Sequence, residues 1–157
     1  MDLREALIAT GEQQRLNVLR LVTRWDEENQ DCAAQTVAFL QEVWPRQLAA
    51  RSPAASVALA QIALRAGDRM PEVTAAVPPV LETSAEPIDA LPFYRRAKDD
   101  QIARFSSEHL AIFHAVLPND AQLWPWGMSQ VIESLAEIDT LKADPRLSEL
   151  RRRQARI

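Results

Sequence analysis

Five arginines near the C-terminal end are the residues best suited to binding chemistry: Arg146, Arg151, Arg152, Arg153 and Arg156. Guanidinium groups bind phosphates and carboxylates through paired hydrogen bonds, so this cluster could contact nucleic acid or an acidic protein partner. The same positions at the end of a helix would also favour the helix dipole as an ordinary solvated surface. The sequence favours the solvated end and leaves the binding roles open.

A second candidate is the aromatic cluster Trp124-Pro125-Trp126-Gly127. Tryptophan is enriched where proteins bind each other, but it also packs between helices as an ordinary core residue. Trp124 follows Leu123, which favours core packing. We therefore assign Trp124 to the core and leave Trp126 as a possible partner contact.

Histidine and cysteine offer little chemistry. His109 and His114, the two histidines, are five positions apart, so on one helix their side chains diverge by about 140° and share no metal-binding face. We expect one to be partly exposed and the other to be packed at a helix interface. Cys32, the single cysteine, is predicted to be a buried structural thiol, and no metal or other cofactor is expected.

The chain lacks the sequence marks of common enzymes. Phosphate-binding loops need glycines within a few residues of each other, whereas Gly11, Gly67 and Gly127 are 56 and 60 residues apart. No GxSxG nucleophile elbow is present. The formal net charge of −4 also opposes general binding to nucleic acid. We expect a cytoplasmic protein without catalysis of its own, and no apolar run approaches the ~20 residues of a membrane helix.

Apolar residues recur with helical periodicity through most of the chain, and residues that begin or end helices separate these segments. Ser52-Pro53 and Asp144-Pro145 are N-caps followed by a proline in the first helical turn. We predict a short first helix ending near Gly11, followed by helices over 12–27, 31–44, 54–66, 71–77, 106–117 and 128–141 and one from 144 that dissolves in the final arginines. The residues predicted to be mostly buried are Trp44, Leu59, Ile62, Ala63, Phe113, Val116 and Leu135.

These elements predict an all-α fold of about seven to eight helices, in one domain over 1–157 with a loop-rich connection at 82–98. Three helices end in an apolar residue and a proline: Trp44-Pro45, Val77-Pro78 and Leu117-Pro118, at intervals of 33 and 40 residues. Such intervals are typical of HEAT-like α-solenoid repeats. An irregular antiparallel helical bundle would give similar periodicity, so both architectures stay open.

Two stretches of the chain resemble known proteins: VWPRQLAARSPAASVALAQIALRAGDRMPEV and AIFHAVLPNDAQLWPW with ADPRLSELRRR. They are similar to the C-terminal HEAT-like region of large bacterial proteins that carry an N-terminal sirtuin-type or NTPase effector domain. Several of those proteins are thought to act in defence against phage. The resemblance covers roughly residues 38 to 153, and no effector residue can be transferred to this chain. It implies a sensing or scaffold module whose partner is an effector, a larger subunit or the rest of a longer chain.

The sequence therefore predicts a non-catalytic protein–protein interaction module, with Trp126, Arg146, Arg151, Arg152 and Arg153 as possible partner contacts. The alternative is a nucleic-acid-associated accessory domain that uses the C-terminal arginines, which the net charge disfavours. A small helical enzyme has the least support, because no catalytic constellation can be assembled from the sequence.

Overall fold

The computed structural model describes residues 2–22, 38–40, 42–44, 52–78, 81–88 and 101–156. All regular secondary structure within these ranges is helical, and they contain no β-strand. The predicted all-α class is confirmed for this part of the chain.

The described residues of the N-terminal half include four helices that agree with the predicted caps and breaks. They are α1 (Leu3–Ala9), α2 (Glu12–Val22), α3 (Pro53–Leu64) and α4 (Met70–Ala76). Residues 38–40 and 42–43 are also helical, as predicted for the end of the third helix, and the Trp44 N–H donates to the Leu40 carbonyl at 2.9 Å. The predicted continuation of α2 beyond 22 and the start of the third helix lie outside the described residues.

The C-terminal half contains α5 (Gln101–Arg104), α6 (Ser106–Val116), α7 (Met128–Ala136) and α8 (Pro145–Gln154). The prediction for α7 was wrong at its end, which is Ala136 rather than Leu141. Ile138 takes an extended conformation, and a 3₁₀ turn over Asp139–Leu141 brings Leu141 into the core at 4% exposure. The sequence analysis also missed α5, and it ended the last helix too early.

The alanine-rich helix α3 is enclosed by neighbours. The Ser52 side chain accepts the Ala55 N–H at 3.1 Å as its N-cap, and Pro53 occupies the first turn. Small side chains let other helices approach closely, and α3 packs against α2, α4 and α6. Its buried residues therefore surround most of its circumference: Ala55, Ser56, Ala58, Leu59, Ala60, Ile62, Ala63 and Leu64.

The buried apolar side chains form one contiguous cluster that extends from Leu7 of α1 to Leu150 of α8. Every residue named above as a predicted core residue is buried. The helices α3 and α6 each pack against several other helices, as helices of a bundle do. Residues 82–88 of the predicted loop-rich connection contain no helix or strand, and its continuation to 98 lies outside the described residues.

Candidate interaction surface at the end of α6

The C-terminal end of α6 is a meeting point for three other segments. The last carbonyls of a helix have no partner within it, and Pro118 prevents the helix from continuing. The strap, which we define as residues 81–88, supplies two donors. The Ser84 N–H donates to the Val116 carbonyl at 3.0 Å, and the Thr83 hydroxyl lies 3.4 Å from the Ala115 carbonyl. The strap therefore caps the end of α6.

The next two carbonyls of this end receive donors from distant side chains. Arg153 of α8 donates through Nη1 to the Leu117 carbonyl at 3.0 Å. The Trp124 indole Nε1–H donates to the Pro118 carbonyl at 2.7 Å. Both contacts are buried, so each offsets the desolvation of a polar group that would otherwise lack a partner. They attach α8 and the turn around Trp124 to the same end of α6.

Arg153 is part of a polar network between α6 and α8. Its Nη2 binds Glu149 Oε1, and the other oxygen of Glu149 lies 2.8 Å from His114 Nε2. These hydrogen bonds, with that from His114 as the largest cause, lower the pKa of Glu149 to about 2. Arg153 is only 7% exposed. The structure therefore places this predicted partner contact inside the protein, where it fastens α8.

Two of the other predicted arginines have carboxylate neighbours. Arg146 holds Asp144, the N-cap of α8, through Nε at 3.1 Å and Nη2 at 2.7 Å. This pairing lowers the pKa of Asp144 and raises that of Arg146. Arg151 lies 3.7 Å from Glu133 of α7, and both are exposed. Much of the charge of the predicted basic cluster is therefore compensated within the protein.

Arg152 and Arg156 differ from these three. Both are exposed, and neither forms an ion pair with a carboxylate of the described residues. The residues on either side of Arg152 turn toward α7 and α6, so Arg152 lies on the outer side of α8. Arg156 follows about one helical turn later. These two guanidinium groups are available to a ligand.

The two tryptophans of the aromatic cluster have opposite environments. Trp124 is buried at 8% exposure, as predicted, and Pro125 is buried beside it. Gly127 has a φ of 82°, a left-handed conformation that turns the chain into α7 and that favours glycine. Trp126 between them is 80% exposed. The large side chain of Trp126 is thus exposed to solvent on a turn whose preceding residues, Trp124 and Pro125, are buried.

The contacts also show which helix ends lie together. His114 contacts Glu149 and Leu117 contacts Arg153, so α6 and α8 are parallel. Residues 137–144 connect α7 to α8 through the 3₁₀ turn, and Glu133 lies opposite Arg151, so these two helices are antiparallel. The start of α7, just after Trp126, therefore lies beside the end of α8. We call Trp126, Arg152 and Arg156 the Trp126 surface, because all three belong to this end of the bundle.

The histidines behave as predicted. His109 is buried with Nδ1 2.7 Å from the Phe105 carbonyl, and His114 is half-buried in the network with Glu149. Within the described ranges, no three histidine, cysteine, aspartate or glutamate side chains come together as metal ligands would. Cys32 lies outside these ranges.

Comparison with protein-family models, with curated proteins and with solved structures finds no match to this chain. In the part of the chain that the structure describes, no helix is both long enough and apolar enough to cross a membrane.

Proposed function

We propose that this chain is a non-catalytic protein–protein interaction module, a scaffold or a sensor, and that the Trp126 surface is its contact with another protein. The observation that carries the proposal is the 80% exposure of Trp126 on a turn anchored by buried Trp124 and Pro125. Tryptophan and arginine are the side chains most enriched among residues that dominate binding energy.

The anchoring of this turn adds to the argument. Ordering a flexible loop on binding costs about 0.5–1.5 kcal/mol for each immobilised side chain, which a preformed surface avoids in part. The hydrogen bond from Trp124 to Pro118 and the glycine conformation at 127 fix the backbone on both sides of Trp126. The backbone that carries the indole is therefore in place before any partner arrives.

The nucleic-acid alternative has less support than it had from the sequence. A protein that follows a phosphate backbone needs several available cations on one face. Arg146, Arg151 and Arg153 each have a carboxylate within 4 Å, and the net charge of the chain is −4. Two exposed arginines suit contact with a few carboxylates better than a continuous phosphate track.

Two finer assignments belong to the same proposal. A HEAT-like α-solenoid is supported by the recurrence of an apolar residue and a proline after a helix, at Val77-Pro78 after α4 and Leu117-Pro118 after α6. A place in cytoplasmic anti-phage defence is supported by the sequence resemblance alone. An effector gene beside the gene for this chain would support the second assignment, and a neighbourhood of unrelated metabolic genes would count against it.

The interaction proposal is tested by quantitative affinity capture with three forms of the protein: wild type, Trp126→Ala and Leu21→Ala. Leu21 on α2 is 68% exposed, so its truncation is a matched control for the loss of an exposed apolar side chain. We expect a discrete protein to be retained by the wild type and by Leu21→Ala but lost with Trp126→Ala. Equal retention by all three forms would contradict the proposal.

A further inference from the structure

The outer side of α8 carries positive charge that no carboxylate of the described residues compensates. Glu149 is engaged by Arg153 and His114, and Asp144 is engaged by Arg146. Glu133 of α7 lies opposite Arg151. Each of these carboxylates is paired with its own partner. Arg152 of α8 and Arg156 just after it have no carboxylate partner among the described residues. A ligand that carries carboxylates would pair with Arg152 and Arg156 as these carboxylates pair with the other arginines.

Trp126 adds an apolar component at the same end of the bundle. Its indole is the most exposed large apolar side chain in the described part of the protein. The turn that carries it is attached to Pro118, and the adjoining carbonyl of Leu117 is attached to Arg153 of α8. An apolar side chain and two guanidinium groups thus lie at one end of the bundle, and the carbonyls of Leu117 and Pro118, just after α6, hold the two segments that carry them.

We propose that the Trp126 surface binds an acidic segment of a partner protein, with an apolar side chain of that segment on Trp126 and its carboxylates at Arg152 and Arg156. This inference rests on the proposed function and adds the chemistry of the partner. Guanidinium and carboxylate groups form paired hydrogen bonds, so charge complementarity selects acidic over basic segments. The burial of apolar area on the indole supplies affinity that exposed ion pairs alone do not.

The test is a selection from a random-peptide phage library on immobilised full-length protein. Enriched peptides are then synthesised, and their affinities are measured for wild type, Trp126→Ala and the charge reversal Arg152→Glu/Arg156→Glu. Leu21→Ala and Arg20→Glu on α2 are the matched controls, since both residues are exposed. A labelled single-stranded DNA and a labelled duplex are titrated in parallel at about 150 mM salt, where exposed charges are largely screened beyond ~8 Å.

We expect the enriched peptides to combine acidic residues with at least one aromatic or aliphatic residue. Trp126→Ala should weaken their binding roughly tenfold or more, as for a residue at the centre of an interface. The charge reversal should weaken it by a similar factor, and both α2 controls should leave it unchanged.

Three results would overturn the inference. Enriched peptides that are neutral or basic, and that bind the charge reversal as well as the wild type, would refute the acidic partner while leaving an interaction at Trp126 intact. DNA binding at this salt that is lost on charge reversal would assign the surface to nucleic acid. A selection without enrichment would refute a peptide-binding surface, and affinity capture would then decide separately whether a larger protein face is bound.

Discussion

The helices α3 and α8 are held in the same protein by different means. Apolar and small side chains bury α3 against three neighbouring helices, so its position depends on many contacts. Only Leu147, Leu150 and Arg153 of α8 are buried, and its outer side carries exposed arginines. It packs against α6 and α7 through these few buried side chains, and Arg153 adds a hydrogen bond to the end of α6. The comparison indicates that α3 maintains the fold, whereas α8 keeps a polar surface in place.

The largest effect should come from a cavity in α3. Leu59 is fully buried, so Leu59→Ala should lower the free energy of unfolding by about 2–5 kcal/mol through lost apolar burial and the space left behind. Leu21→Ala on exposed α2 should change it by less than about 0.5 kcal/mol. Urea unfolding of both variants measures the difference. Equal losses of unfolding free energy in Leu59→Ala and Leu21→Ala would contradict the conclusion that burial of α3 maintains the fold.

A smaller effect should follow from removing the polar attachment of α8. Arg153→Met leaves the buried Leu117 carbonyl without its donor, which should cost about 1–3 kcal/mol. Arg152→Met is the control, because Arg152 is next in the chain but exposed, and should be nearly neutral. In Arg153→Met, amide hydrogen exchange should therefore become faster in α8 and the strap before it becomes faster in α3. A uniform rise throughout the protein would contradict local attachment.

The starts of the two helices provide a closer comparison, since both have an N-cap followed by proline. Ser52 accepts the Ala55 N–H and also donates to Glu12 at 2.8 Å, so Ser52→Ala should cost about 0.5–2 kcal/mol. Asp144→Asn keeps a capping oxygen for the Arg146 N–H but removes the charge and the Oδ2 contact with Arg146 Nη2, a partly exposed ion pair that contributes little. Thermal unfolding should therefore show a smaller loss for Asp144→Asn than for Ser52→Ala, and the opposite order would contradict these capping assignments.

The smallest effect concerns pH. The pKa of Glu149 is lowered from its ordinary value of 4.5 to about 2, so its charged form stabilises the folded state. This stabilisation is fully present above the unfolded pKa and is lost as pH falls from about 4.5 toward 2. Water screens it in part because the Glu149 side chain is 40% exposed.

Glu149→Gln should accordingly be less stable than wild type near neutral pH, and the two should converge in acid. Glu133→Gln is the control, because the Glu133 carboxylate has only a 3.7 Å contact with Arg151. Unfolding free energies measured across this pH range test the assignment. A constant difference between Glu149→Gln and wild type at every pH would show that the carboxylate charge has no role.

These features differ in how far the sequence could reveal them. The cap, composition and length of α3 are local, so its limits and its buried face could be predicted within a few residues. The attachment of α8 to the end of α6 could not be predicted, because Leu117 and Arg153 are 36 positions apart and nothing local connects them. One signal was available: Glu149 and Arg153 have the i,i+4 spacing of an ion pair on a helix. That spacing indicates a pair but not its attachment to α6.

The neighbouring Leu123 favours burial of Trp124, but no local signal predicts that Trp126 is exposed. Their difference arises from the hydrogen bond of Trp124 to Pro118 and from the direction that Gly127 gives the chain. Both are tertiary properties of one turn. The candidate site is thus a consequence of how the fold ends α6, which a list of residue types does not contain.

The most direct test of the central claim, that the Trp126 surface contacts another protein, is site-specific photo-crosslinking in living cells. A photoreactive amino acid is placed at position 126, at 152 or at the control position 21, and adducts are identified by mass spectrometry. We predict the same discrete protein adduct from positions 126 and 152 and none from 21. Absence of an adduct at 126, or the same adducts from all three positions, would contradict the claim.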